Sequence, residues 1–271
     1  MKRYPIVLTI AGSDSGGGAG IQADIKAISA TGGYAASAIT AITVQNTIGV
    51  QEVFPIPIGI LSAEIEAVMS DIGADAVKIG MLHSEEVIKA VHEKLQKFNV
   101  RNVVLDPVMV STSGHRLIED TAIESLQRDL IPVARVITPN IPEAEVLLGE
   151  RITSEKELPE AAKRLSMNGR LSVLMKAGHL HEDALVDYFY NAEANHVIPL
   201  SSKRLYTKNT HGTGCTLSSA MASYLAQGLS LDDAARAAKQ YITSALEHGA
   251  EYEIGHGHGP VNHFFMIKSR K

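Results

Sequence analysis

Short apolar runs alternate with amphipathic stretches along most of the chain. Residues 6–11, 38–44, 76–80, 103–106, 135–138 and 172–176 are mostly apolar and of strand length. A strand without a polar face is one buried on both sides, as in a parallel sheet. Between these runs, helical spacing of apolar positions predicts helices over 21–30, 62–70, 85–98, 119–129 and 155–168. Strands separated by such helices imply βαβ units. Residues 49–58 are β-rich but hold Pro55 and Pro57. Proline cannot donate to a ladder, so an edge ribbon or flap is predicted there. Residues 183–200 read as a hairpin near a sheet edge. The last third carries a glycine turn, a helix over 217–225 rich in small residues, and a helix from 232 to about 247. No linker or repeat breaks the alternation, so residues 1–271 are expected to form one α/β domain.

Composition narrows the function. Hydrophobic residues make up 45% of the chain, enough for a sheet with both faces covered. The formal net charge is −5 and no basic run occurs, which argues against nucleic acid or an anionic membrane as the main partner. With no Trp and few aromatics, platforms for base stacking are scarce. The single cysteine allows no internal disulfide and fits a reducing cytoplasm. The first apolar run ends at Gly12, too soon for a signal peptide or membrane span.

Two glycine segments carry candidate chemistry. Ser13-Asp14-Ser15-Gly16-Gly17-Gly18-Ala19-Gly20 follows the first strand. It lacks the Lys-Ser or Lys-Thr of a P-loop, and no acid follows about twenty residues later, as a dinucleotide fold requires. Close backbone approach to a small ligand, or a plain strand-to-helix turn, remain as readings. The second segment, Lys208-Asn209-Thr210-His211-Gly212-Thr213-Gly214-Cys215-Thr216, opens a helix. Unpaired amides and a partial positive charge at a helix start make a socket for an anion. Gln45, at a strand end, offers an amide donor and acceptor suited to the edge of a heteroaromatic ring.

Ligands of open parallel sheets bind beyond the carboxyl ends of the strands. Those ends here are Gly80-Met81, Asp106-Pro107-Val108, Thr138-Pro139-Asn140 with Glu143, and Lys176-Ala177-Gly178. Two carboxylates, an amide and an ammonium beside an anion socket form an inventory for phosphoryl transfer, with hard oxygens for Mg²⁺. His256, His258 and His263 lie in a Gly-Pro-rich tail without helical ligand spacing, which favours no metal site. Lys239, on the last helix, could reach over the site, but a solvated face is its expected place.

The motifs resemble the ribokinase superfamily, in its vitamin kinase branch, and are similar to the hydroxymethylpyrimidine/phosphomethylpyrimidine kinases of thiamin biosynthesis. The resemblance rests on the first glycine segment with Ile21-Gln22-Ala23-Asp24, on Thr43-Val44-Gln45-Asn46-Thr47, and on Lys78-Ile79-Gly80-Met81. It continues through Asp106-Pro107-Val108, Thr138-Pro139-Asn140 with Glu143, Lys176-Ala177-Gly178-His179, the second glycine segment, and Gly257-His258-Gly259-Pro260-Val261-Asn262-His263. It implies a three-layer αβα fold and an ATP- and Mg²⁺-dependent kinase, usually a homodimer. The implied reactions phosphorylate 4-amino-5-hydroxymethyl-2-methylpyrimidine and then its monophosphate. By the same resemblance Gln45, Met81, Gly12, Ala19, Val44 and Val108 meet the pyrimidine, with Asp24 a further polar contact. Lys176 and the Gly212-Thr213-Gly214 turn hold ATP phosphates. Asp106, Asn140 and Glu143 support the metal, largely through water. Cys215 stands beside the acceptor oxygen, where many relatives of the superfamily carry aspartate. A helix start can lower a thiol pKa, so Cys215 is expected to act as a base for the alcohol. It would also spare the phosphate acceptor a fixed negative charge. Pyridoxal kinase is the nearest alternative. A non-catalytic binding protein on this scaffold should lack Asp106, Lys176 or Cys215, and a dehydrogenase fails the dinucleotide pattern.

Overall fold

The computed structural model describes residues 3–110, 117–178 and 184–267. One nine-stranded sheet runs through it. The first strand, β1 (Ile6–Asp14), is followed by α1 (Gly20–Ala30) and then by β2 (Tyr34–Gln45), which pairs parallel to β1. β3 (Val50–Pro55) folds back antiparallel on β2 and forms one edge. The chain then crosses to the other side of β1. There α2 (Ile58–Asp71), β4 (Ala76–Ile79), α3 (Glu85–Lys97), β5 (Val103–Leu105), α4 (Asp120–Ser125) and β6 (Val136–Ile137) follow in turn. α5 (Ile141–Leu148), α6 (Leu158–Leu165) and β7 (Ser172–Met175) complete the parallel part. β8 (Ala184–Asn191) and β9 (His196–Lys203) close the far edge as an antiparallel hairpin. α7 (Thr213–Ala226) and α8 (Leu231–Gly249) end the fold.

Alternation along the short strands divides the core into two layers. In β5, Val103 and Leu105 join the cluster that includes α2 to α6, while Val104 joins the cluster of α1, α7 and α8. β7 repeats this, with Val173 and Met175 on one face and Leu174 on the other. Side chains of a strand point alternately to opposite faces, so both faces are apolar because helices cover both. This is the expected αβα sandwich with an edge ribbon. Crossovers change faces beside β1: α1 packs on one face and α2 on the other. Such a reversal leaves a crevice at the carboxyl ends of the adjoining strands.

Three local differences from the sequence expectation have physical causes. α5 was not expected, yet Asn140 and Glu143 form its reciprocal capping box at 2.8 and 2.9 Å. α7 begins at Thr213, four residues before the apolar run, because glycine and small residues form its first turn. The expected helix over 155–168 shortens to α6, where Met167 and Asn168 take positive φ of 52° and 61° and turn the chain out of the helix.

Candidate active site

α7 is the central element. It packs against α1, α8, β1, β4 and β5, and Ser218, Ser219, Ala220, Ala222 and Ser223 are all buried on it. Small side chains let its amino end reach the sheet crevice. Gly212 precedes the helix at φ 77°, and a Cβ there would fall 1.8 Å from the Gly18 carbonyl oxygen. Only glycine fits both the left-handed backbone and that contact. The two glycine segments therefore abut. Gly214 faces the sheet ends, with room for a Cβ only 3.1 Å from Lys176 Nζ and 3.4 Å from Asp106 Oδ2.

Around this turn the strand-end residues converge. Lys176 Nζ donates to Asp106 Oδ1 at 2.9 Å and lies 3.9 Å from Glu143 Oε2. Thr138 also donates to Asp106 Oδ1, at 2.9 Å. Burial disfavours the Asp106 anion, but Lys176 and Lys78 outweigh it and hold its pKa below the usual carboxylate value. Burial likewise works against the Lys176 ammonium, and Asp106 and Glu143 reverse the effect, so its pKa stands above the usual lysine value. Glu143 is left with too little compensation. Burial first, and then the Asp106 charge, push it up to about 7 against the pull of Lys176.

Below this group lies a second ion pair. Lys78 Nζ donates to both Asp24 oxygens at 2.8 and 2.9 Å, and both side chains are fully buried. Thr9 and Ser219 donate to Asp24 at 2.6 and 2.7 Å. Asp24 is thus consumed by four bonds beneath the site and does not line the cavity. This corrects its assignment as a ligand contact.

Cys215 does lie at the cavity, half-buried in the first turn of α7. Its expected activation is overturned. Desolvation pushes the thiol up to about 11; the nearby Lys78 ammonium pulls it down, and the charges of Asp24 and Asp106 oppose that pull. Burial is the leading cause, and the thiol is neutral at pH 7.

A cavity of about 680 Å³ joins these groups. Gly12, Ala19, Gln45, Met81 and Val108 line it. Val44 does not: its neighbours Thr43 and Gln45 turn inward, while Val44 faces out and is 46% exposed. Leu205, Ile242 and Leu246 line the cavity as well. Lys239 also faces the cavity. It is buried and donates to Asp187 Oδ2 at 2.8 Å, so its expected solvated position is corrected. Asp187 Oδ1 in turn accepts the Ala177 amide, next to Lys176, at 2.8 Å. His263 is buried against the Thr216 hydroxyl at 2.9 Å, whereas His256 and His258 are exposed. Among the described residues, no group of three or more His, Cys, Asp or Glu side chains could hold a metal ion by itself. His179, and Asp183 of the expected hairpin, lie outside the described residues.

Asp14 and His211 went unassigned in the sequence reading. The Asp14 carboxylate accepts the amides of Gly16, Gly18 and Ala19 at 2.8, 3.0 and 2.8 Å. The first glycine loop thus wraps its own aspartate instead of presenting those amides to a phosphate. An Asp followed by glycines was the available signal, since Asx side chains bond the amides that follow them.

The chain is similar to known proteins along nearly its whole length. The chain is 49% identical over 97% of its length to the thiamine biosynthesis bifunctional protein ThiED of Geobacter sulfurreducens, and covers 53% of that protein. It therefore spans about half of that relative. It is 47% identical to the hydroxymethylpyrimidine/phosphomethylpyrimidine kinase of Rhizobium meliloti, covering 96% of this chain and 97% of the other. The ADP complex of Bacillus subtilis pyridoxal kinase superposes with a TM-score of 0.89 at 35% identity, covering 97% of this chain and 99% of that one. The sequence model of the phosphomethylpyrimidine kinase family matches residues 14–262, and the chain belongs to that family.

Proposed function

We propose that the chain is an ATP-dependent kinase of 4-amino-5-hydroxymethyl-2-methylpyrimidine and of its monophosphate. One observation supports this most directly: the Gly214 turn, Lys176, Asp106 and Cys215 meet in one cavity that ends at Gln45. Gln45, Gly12, Ala19, Met81 and Val108 hold the pyrimidine, with its hydroxymethyl oxygen toward Cys215. That oxygen attacks the terminal phosphorus of ATP, and the bond to the bridging oxygen of the departing ADP breaks. The α7 amides and Lys176 neutralise the moving phosphoryl group. A thiol of pKa about 11 is a poor base at neutral pH. In a loose transfer the alcohol proton leaves late, to an oxygen of the transferred phosphoryl group, so a strong base is not required. Cys215 packs beside the acceptor without charge, and leaves room for the phosphate acceptor of the second step.

The donor set also fits magnesium. Asp106 and Glu143 supply hard oxygens, and the undercompensated charge on Glu143 favours a cation nearby. Mg²⁺ typically takes one or two carboxylates, with water and phosphate completing its shell. Bound there, it would neutralise charge on the transferred phosphates. Asn140 holds Glu143 in place through the capping box.

The test is ADP release from ATP with hydroxymethyl heterocycles and their monophosphates. Turnover of the pyrimidine and its monophosphate is expected; release with pyridoxal alone would overturn the reading. The likeness to a pyridoxal kinase makes pyridoxal the second substrate to include. No helix among the described residues is long and apolar enough to cross a membrane. We further propose, on the resemblance alone, a cytoplasmic homodimer. Light scattering at the 29.0 kDa of one chain would refute the dimer.

A further inference from the structure

The Asp14, His211 and Thr43 side chains converge on Gln45 from two sides of the cavity rim. His211 Nε2 lies 2.9 Å from Asp14 Oδ2 and 3.2 Å from the Gln45 carboxamide nitrogen position. Thr43 Oγ1 lies 2.9 Å from the Ser13 carbonyl oxygen and 3.0 Å from the Gln45 carboxamide oxygen position. Asp14 and His211 are more than nine-tenths buried. Their bonds are therefore decided by one another, not by bulk water.

The proton count fixes the network. Burial disfavours the Asp14 anion, but His211 and the amides of the glycine loop more than offset it, and its pKa is lowered. An ionised carboxylate only accepts, so the His211 Nε2 facing it carries the proton. A protonated Nε2 has no lone pair for an amide NH₂, so the Gln45 end facing it is the carbonyl oxygen, which shares the proton given to Asp14. At the other end, the Ser13 carbonyl only accepts, and a threonine hydroxyl has one proton. With that proton on Ser13, Thr43 can only accept from Gln45. The two ends of a carboxamide have nearly the same shape, and its sense is set by its partners. Both ends demand the same sense, with oxygen toward His211 and nitrogen toward Thr43.

We infer that Asp14, His211 and Thr43 are specificity-determining positioning residues that lock the rotational sense of the Gln45 carboxamide. One N–H and one oxygen lone pair of Gln45 then remain for a ligand, in fixed order. This order matches a ring edge with an acceptor nitrogen beside an amino group. It mismatches the same ring bearing an N–H beside a carbonyl, in which donor and acceptor are exchanged. An unlocked Gln45 could turn over and accept either edge. The inference rests on the proposed pyrimidine site and adds the reason why that site rejects the oxo form.

The experiment measures binding of the 4-amino pyrimidine alcohol and its 4-oxo analogue by calorimetry, and KM and kcat for both. Full-length wild type is compared with Thr43→Val and His211→Leu, and with the donor- or acceptor-retaining Thr43→Ser and His211→Gln. Wild type is expected to prefer the amino compound. Thr43→Val and His211→Leu should each shrink the ratio of dissociation constants about tenfold or more, the scale of one mispaired buried group. The change should appear in KM and not in kcat, and Thr43→Ser and His211→Gln should restore the preference. An unchanged ratio in Thr43→Val and His211→Leu would overturn the lock, as would equal losses in the restoring variants. Selective binding without ADP release would refute the kinase reading and leave the lock standing. Binding of neither compound by wild type would refute both.

Discussion

Glu143→Gln should make the protein more stable at alkaline pH while impairing it as a kinase. The Glu143 carboxyl rises from 4.5 to about 7 on folding, because it is buried and faces Asp106. The sign follows from linkage. Between those values the folded chain binds more protons than the unfolded one, so stability falls as pH rises through this window. Each tenfold change in proton affinity is about 1.4 kcal/mol. The carboxylate thus costs the fold up to about 3 kcal/mol above pH 7, and sharing of charge with Lys176 makes about 1–3 kcal/mol the working range. Glutamine keeps an oxygen for the Asn140 amide and removes the charge, so the cap of α5 survives. With about 2.1 cal/mol/K per residue of unfolding entropy, Tm at pH 8 should rise by roughly 2–5 °C. Near pH 4.5 the gap should close, because the folded wild type is already protonated there. Calorimetric melts across pH 4.5–8 read this directly. A gap of the same size at both ends, or a less stable variant at pH 8, would refute the charge argument. With Mg²⁺ and ATP present, the same variant should lose about 10- to 100-fold in kcat, the scale of a lost electrostatic contact in the transition state.

Other outcomes follow from the same geometry. Lys176→Met should cut kcat by about 100-fold or more, measured as ADP release, and an effect confined to KM would contradict its place at the moving phosphoryl group. Alkylation of Cys215 by iodoacetamide should be slow at pH 7.5 and accelerate toward pH 11, the position of its thiol; a rate plateau below pH 8 would show an activated thiolate instead. Lys78→Met strands the Asp24 charge and should cost about 3–5 kcal/mol, much of which Lys78→Met with Asp24→Leu should recover; equal Tm losses in the single and double variants would disprove a charge origin. Cys215→Asp should impair the second transfer more than the first, and equal losses in separate assays of the two steps would count against the charge account.

The sheet was legible because each buried strand is short, apolar and separated by a helix with its own period. The strand-end rule then located Asp106, Glu143 and Lys176 correctly, since topology alone brings the carboxyl ends of β5, β6 and β7 together. What failed depended on which way a side chain points or on what surrounds it. Val44 sits between two inward residues, and its outward face follows from a strand period of two once the pocket side of Gln45 is known. Asp24 and Lys78 are 54 positions apart and meet only through α1 and β4. Lys239 reads as a surface residue in a polar stretch, and its partner Asp187 belongs to a distant strand. The thiol of Cys215 departs from expectation because the helix start is visible in sequence, whereas its burial and the remote charges of Lys78, Asp24 and Asp106 are not.

The charges beneath the site explain why a neutral sulfur occupies the head of α7. Asp24, Asp106 and Glu143 face two ammonium groups, Lys78 and Lys176, and all five side chains are largely buried. The balance is already one carboxylate in excess, and the chain relieves it by raising the Glu143 pKa toward neutrality. An aspartate at 215 would add a fourth carboxylate within the field of Asp24 and Asp106, the two charges that already oppose ionisation of the thiol. It would be forced to take up a proton or to claim Lys78 from Asp24. The two lysines are spoken for: Lys78 compensates the buried Asp24, and Lys176 bridges Asp106 toward the phosphoryl path. In this chain the neutral thiol adds nothing to that excess, which Glu143 already relieves with a pKa raised to about 7.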